Sequence, residues 1–117
     1  MPTSPPTIAE HFKDRAPSVR AIYDEIMNAA RALGPVKQEP KKTSIHLVRR
    51  SAFAGVATQK EALILTLKSP TDIRSRRIKK REQASANRWY LEVRLDNPGQ
   101  VDAELKGWLR KSIELSD

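Results

Sequence analysis

The chain has 117 residues, 38% of them hydrophobic and 31% charged, with a net charge of +8 and no cysteine. That length suits one domain around one modest core. The absence of cysteine excludes disulfides, thiolate metal sites and cysteine nucleophiles, and no apolar run approaches the roughly 20 residues of a membrane-spanning helix.

Residues 1–6, rich in proline, read as a disordered lead-in rather than a signal peptide. Residues 7–117 form the expected single domain. Thr7 caps a first helix over Ile8 to Arg15, with Glu10 completing a capping box, and Pro17 ends or bends it. Ser18 opens a second helix from Val19 to Leu33, where Val19, Ile22, Tyr23, Ile26, Ala30 and Leu33 recur at helical spacing. Gly34-Pro35 stops it.

The period then shortens to two. Thr43 to Val48 reads as a strand, with Ile45 and Leu47 on one face and Ser44 and His46 on the other. Arg49-Arg50-Ser51 turns it into a second strand, Ala52 to Ala57, where Gly55 suggests a bulge or a close backbone approach. Ala62 to Lys68 is almost wholly apolar and reads as central. Ser69 to Asp72 breaks the sheet, and Ile73 to Arg81 is basic, with no clear local pattern. Asn87 to Leu95 is the clearest strand, with Trp89, Leu91, Val93 and Leu95 opposite Tyr90, Glu92 and Arg94. Asn97 caps a final helix, with Pro98 at its first position, Gln100 closing the box, and a stripe of Val101, Leu105, Trp108, Leu109 and Leu115. The expected fold is α+β in two layers: a mainly antiparallel, meander-like sheet of four to five strands, with the N-terminal helices and a C-terminal helix packed on one face.

The charge is unevenly placed. Residues 35–81 hold thirteen basic and three acidic side chains, while the flanking segments are neutral or acidic. Arg74, Arg76, Arg77, Lys79, Lys80 and Arg81 fall within eight residues. Such a run repels itself, and a polyanion relieves that repulsion. Lys41, Lys42, Arg49 and Arg50 extend the patch if the sheet brings them near. The first reading is therefore a cationic binding module for nucleic acid or another polyanion, making phosphate contacts without base readout. Against it stand the lack of interleaved aromatics and of any helix-turn-helix, zinc finger or phosphate loop, and the simpler role of charge in guarding a sheet edge.

A second reading places a small-ligand pocket, or a minor enzyme, on the polar strand face with Lys42, Ser44, His46, Tyr90 and Arg94, provided these converge. A third is a homodimer or other protein interaction through an open sheet edge. No catalytic residue, metal site or cofactor is expected, because the carboxylates are scattered, no matching carboxylate lies close in sequence to His46, and His11 reads as a helix-surface residue. The expected setting is cytoplasmic, with no membrane partner.

Several segments have a familiar cast: Pro40-Lys41-Lys42-Thr43-Ser44-Ile45, Arg50 with Phe53-Ala54, Leu63 to Leu67, Arg77-Ile78, Glu82-Gln83, Trp89-Tyr90 with Val93-Arg94-Leu95, and Val101-Asp102 with Leu105 and Trp108-Leu109. Together these resemble a bacterial family catalogued as domain of unknown function 5655, from about Pro35 to Ile113. The resemblance implies a small α+β domain, supplies no catalytic residues to carry over, and singles out Lys41, Lys42, Thr43 and Ser44.

Overall fold

The computed structural model describes residues 7–116; the expected lead-in lies outside them. Helices α1 (Ile8–His11) and α2 (Pro17–Arg31) precede six strands: β1 (Lys37–Pro40), β2 (Ile45–Val48), β3 (Ala52–Thr58), β4 (Leu63–Ser69), β5 (Ile78–Ser85) and β6 (Arg88–Leu95). Helix α3 (Ala103–Ser116) closes the chain. The strands form one sheet in the order β1-β2-β3-β4-β6-β5, and every neighbouring pair is antiparallel.

The α+β architecture is as expected, but the sheet has six strands, not four to five. The two extra strands are its edges. β1 reads Lys-Gln-Glu-Pro, and β5 is exposed at every position after Ile78. Neither shows the apolar alternation that marks a half-buried strand, because an edge facing water has no second layer to bury against. The meander also stops at β4. Residues 70–77 carry the chain past one strand position, and β6 folds back between β4 and β5. Composition accounts for this order: Leu91, Val93 and Leu95 of β6 are buried, so β6 takes an inner position and the polar β5 takes the rim.

One face of the sheet carries the core. In register across it lie Ile45 and Leu47 of β2, Ala54 and Val56 of β3, Leu63, Leu65 and Leu67 of β4, and Leu91, Val93 and Leu95 of β6. Helix α2 lays Val19, Ile22, Ile26 and Ala30 into this layer, and α3 adds Leu105, Leu109 and Ile113. Each fully buried leucine or isoleucine contributes about 1.5–3 kcal/mol of transfer free energy.

Helix ends differ from the expected ones for local reasons. Thr7 accepts from the Glu10 amide at 3.2 Å, but α1 lasts only one turn before Asp14 adopts φ 59°. An aspartate tolerates that left-handed conformation, which no helix can continue. Pro17 begins α2 rather than ending α1; its fixed φ and missing N–H suit a first helical position. Asn97 and Gln100 form their capping box around a short 3-10 turn, Pro98–Gln100. The C-terminal helix starts later, where the Asp102 carboxylate accepts from the Leu105 amide at 3.1 Å. Gly34, at φ 140°, ends the α2 segment where a Cβ would lie 2.9 Å from the Arg49 guanidinium, itself bonded to the Leu33 carbonyl.

Candidate functional site

Both long helices, α2 and α3, cover the same sheet face, so among the described residues the opposite face has no long helix on it. Strand alternation fills it in rows. His46, Gly55, Thr66 and Glu92 are neighbours across four strands; Ala57, Ile64 and Arg94 form a second row; Lys68, Tyr90 and Glu82 form a third. Between these rows runs a groove of about 390 Å³. Ser44, His46, Thr66, Lys68 and Tyr90 stand around it, while Gly55 and Ala57 keep its floor low. Tyr90, 37% exposed, is the one large hydrophobic side chain among the described residues that faces solvent to this degree.

Helix α3 shapes one end of the groove from behind. The β3–β4 ladder reaches Ala54 and Leu67 and goes no further. At the next position the buried Ser112 hydroxyl accepts from the Lys68 amide at 2.9 Å and donates to the Phe53 carbonyl. A hydroxyl can do both at once, so a side chain stands where a direct strand-to-strand bond would be. Ser116 adds a bond from its hydroxyl to the Ala52 carbonyl at 3.3 Å. The start of β3 is thus fastened to the helix rather than to β4, and Ala52, Phe53 and Lys68 border the groove at this parting.

The floor is unusual in one respect. A Cβ on Gly55 would meet only the Thr66 Cβ, at an ordinary 3.8 Å, and no positive φ demands glycine there. Glycine in a strand costs about 0.5–1 kcal/mol relative to alanine. No contact among the described residues accounts for that cost; the space a side chain would fill belongs to the groove.

Electrostatically the groove is cationic at the Lys68 end. Partial burial, and then the nearby Arg88 guanidinium, lower the Lys68 pKa from its ordinary value. The ion pairs among the described residues include neither side chain. Glu92, on the same face, lies 4.0 Å from Lys80.

Of the five residues expected to form a pocket, Ser44, His46 and Tyr90 converge and two do not. Lys42 is exposed in the β1–β2 turn, which is closed by the Lys41 amide on the Ser44 carbonyl and by His11 Nε2 donating to the Lys41 carbonyl, both at 2.7 Å. Arg94 turns toward Gln59 and Asp96. Thr66 and Lys68 were missed. Their signal was present as polar residues two apart in an otherwise apolar strand, which puts both on the face opposite Leu65 and Leu67.

The basic residues divide into two groups. Arg74 and Arg81 share Asp72, at 3.3 and 2.8 Å. Arg77 reaches Asp102 at 2.9 Å, Glu104 at 3.2 Å and the Gln100 carbonyl at 2.5 Å, and lies over the Trp108 ring; it ties the start of β5 to the start of α3. Lys80 faces Glu92, while Arg76 and Lys79 are exposed. Lys41, Lys42, Arg49 and Arg50 belong to the ends of β2, beside the opposite edge. Four strand spacings separate β2 from β5, roughly 19 Å at the usual 4.8 Å each, so the two clusters do not merge into one patch.

Both edges are guarded. β1 is four residues long and ends in Pro40; β5 presents Lys79, Lys80, Arg81 and Glu82. Proline and charge on an edge oppose pairing with another strand. Among the described residues no three His, Asp or Glu side chains gather as metal ligands, and no helix is long and apolar enough to cross a membrane.

Fold and groove together define a two-layer α+β domain with one sheet face left uncovered. Within that class the chain belongs to the family described as Domain of unknown function (DUF5655), whose family model matches residues 8–116. The match begins in α1 and so takes in the N-terminal helices, beyond the span from Pro35 that the resemblance covered. Neither the curated proteins nor the solved structures compared with the chain gave a match.

Proposed function

We propose that the protein is a binding module that takes a small ligand with a flat apolar body in the groove on its uncovered sheet face. The observation that carries this reading is the convergence of Ser44, His46, Thr66, Lys68 and Tyr90 around a floor of Gly55 and Ala57. The groove volume falls within the range of small-molecule sites, about 300–1,000 Å³, and a few polar groups around an apolar recess are what such sites use to orient a ligand. Tyr90 offers a ring for stacking. The test is amide chemical-shift mapping with 2-naphthamide as probe. Shifts concentrated at Gly55, Ala57, Thr66 and Lys68 are expected; shifts scattered over the helices, or none at millimolar probe, would refute the groove as the site.

A second reading has its own observation. Arg74, 87% exposed, and the exposed Arg76, Lys79 and Lys80 still line one sheet edge after the local ion pairs are made. Such an edge suits weak, nonspecific contact with nucleic acid or another polyanion. Fluorescence anisotropy with labelled duplex and single-stranded oligonucleotides at two salt concentrations tests it: steeply salt-dependent binding supports the edge, and no binding at low salt removes it.

A further inference from the structure

Resting on the groove reading, we propose that the ligand carries an anionic group, carboxylate or phosphate, which docks at the Lys68 end of the groove between Lys68 and Arg88. Register places these two cations. Lys68 stands directly across from Tyr90, and Arg88 lies two residues from Tyr90 on the same strand, so all three rise from one face as direct and diagonal neighbours. Lys68 borders the groove, and neither cation belongs to an ion pair among the described residues. Of the acids on this face, Glu92 lies 4.0 Å from Lys80 and Glu39 3.7 Å from Lys41, while Glu82 stands across from Tyr90 on β5, in no ion pair among the described residues.

Two like charges held near each other outside any ion pair disfavour one another, and the lowered Lys68 pKa reflects partial burial first and then this repulsion. A bound oxyanion removes it. The Arg88 fork can take two oxygens side by side while the Lys68 ammonium supplies a point charge. Tyr90, between them, meets the apolar body as it leaves the anionic group. The ligand then lies along the groove from Lys68 toward His46, over Gly55.

The experiment compares 2-naphthoate and 2-naphthyl phosphate with the uncharged isostere 2-naphthamide, by titration calorimetry and amide shifts. The wild type is set beside Lys68→Met and Arg88→Gln, each checked for folding by circular dichroism. One anionic probe is expected to bind about tenfold tighter than the amide, the size of one charge-assisted contact. That preference is expected to vanish in Lys68→Met and shrink in Arg88→Gln, and the better oxyanion identifies the class. Equal affinity for all three probes, with shifts still at Gly55 and Ala57, would overturn the anionic seat and leave the groove standing. A preference that survives both substitutions would also overturn it, by assigning the effect to the overall positive charge. Absence of groove shifts with any probe would bring down the groove reading itself.

Discussion

The two faces of the sheet come from the same strands, residue by alternate residue, yet obey different rules. On the helix-covered face every inner strand contributes large aliphatic side chains, and these are buried to within a few per cent. On the uncovered face the same strands carry glycine, alanine, serine, histidine, threonine and lysine around a recess. One face is filled for stability. The other keeps space open at a place where a larger residue would fit, and it holds Lys68 at the rim outside any ion pair among the described residues. A surface that only needed solvation would have no reason to hold a glycine in the middle of β3.

Substitutions can sharpen this contrast. The largest effect is expected on the filled face. Leu65→Ala, at the centre of the sheet, should cost about 2–5 kcal/mol in chemical denaturation, as buried leucine truncations do. Ser112→Ala connects the two faces. It leaves the Lys68 amide and the Phe53 carbonyl without their shared partner, and should cost about 1–3 kcal/mol while shifting the amide resonances of Phe53 and Lys68. A stability close to the wild type's, with the Lys68 amide still protected from exchange, would mean that β3 and β4 rejoin directly.

Tyr23 gives a smaller, pH-dependent effect on the filled side. Burial pushes its phenol from 10.0 up to about 12, against the pull of Arg20 and Arg31, while its hydroxyl donates to Gln38 of β1 at 2.5 Å. The folded chain keeps this proton longer than the unfolded chain. The resulting stability is complete below about pH 10 and is lost as the pH rises toward 12. Tyr23→Phe should flatten that alkaline decline in a pH series of melting curves. Smallest is Gly55→Ala, which should raise stability by about 0.5–1 kcal/mol, a shift of a few degrees in Tm, because the added methyl meets nothing that must move.

How far sequence reading reached follows the same division. The inner strands and α2 were legible because alternation or helical spacing of apolar residues records burial directly. β1 and β5 were not, since polar edge strands leave no periodic trace. The crossing of residues 70–77 past β6 is a long-range choice of position that local pattern does not encode. Ser44, His46 and Tyr90 were legible as the polar half of alternating strands. Lys68 was obscured because β4 reads as a continuous apolar run, and Ser112 because a serine in an amphipathic helix looks like any surface residue until the strand behind it is known. The basic run drew attention by its charge, yet Arg77 and Arg81 turned out to hold β5 against Asp102, Glu104 and Asp72.

The most direct test of the uncovered face is the melting temperature of Gly55→Val with and without 2-naphthoate. The substitution adds a β-branched side chain that suits a strand and fills the groove floor. A Tm at or above the wild type's without the probe, and no rise with it where the wild type rises, is the expected result. A rise with 2-naphthoate equal to the wild type's would contradict the groove as the place where this protein binds.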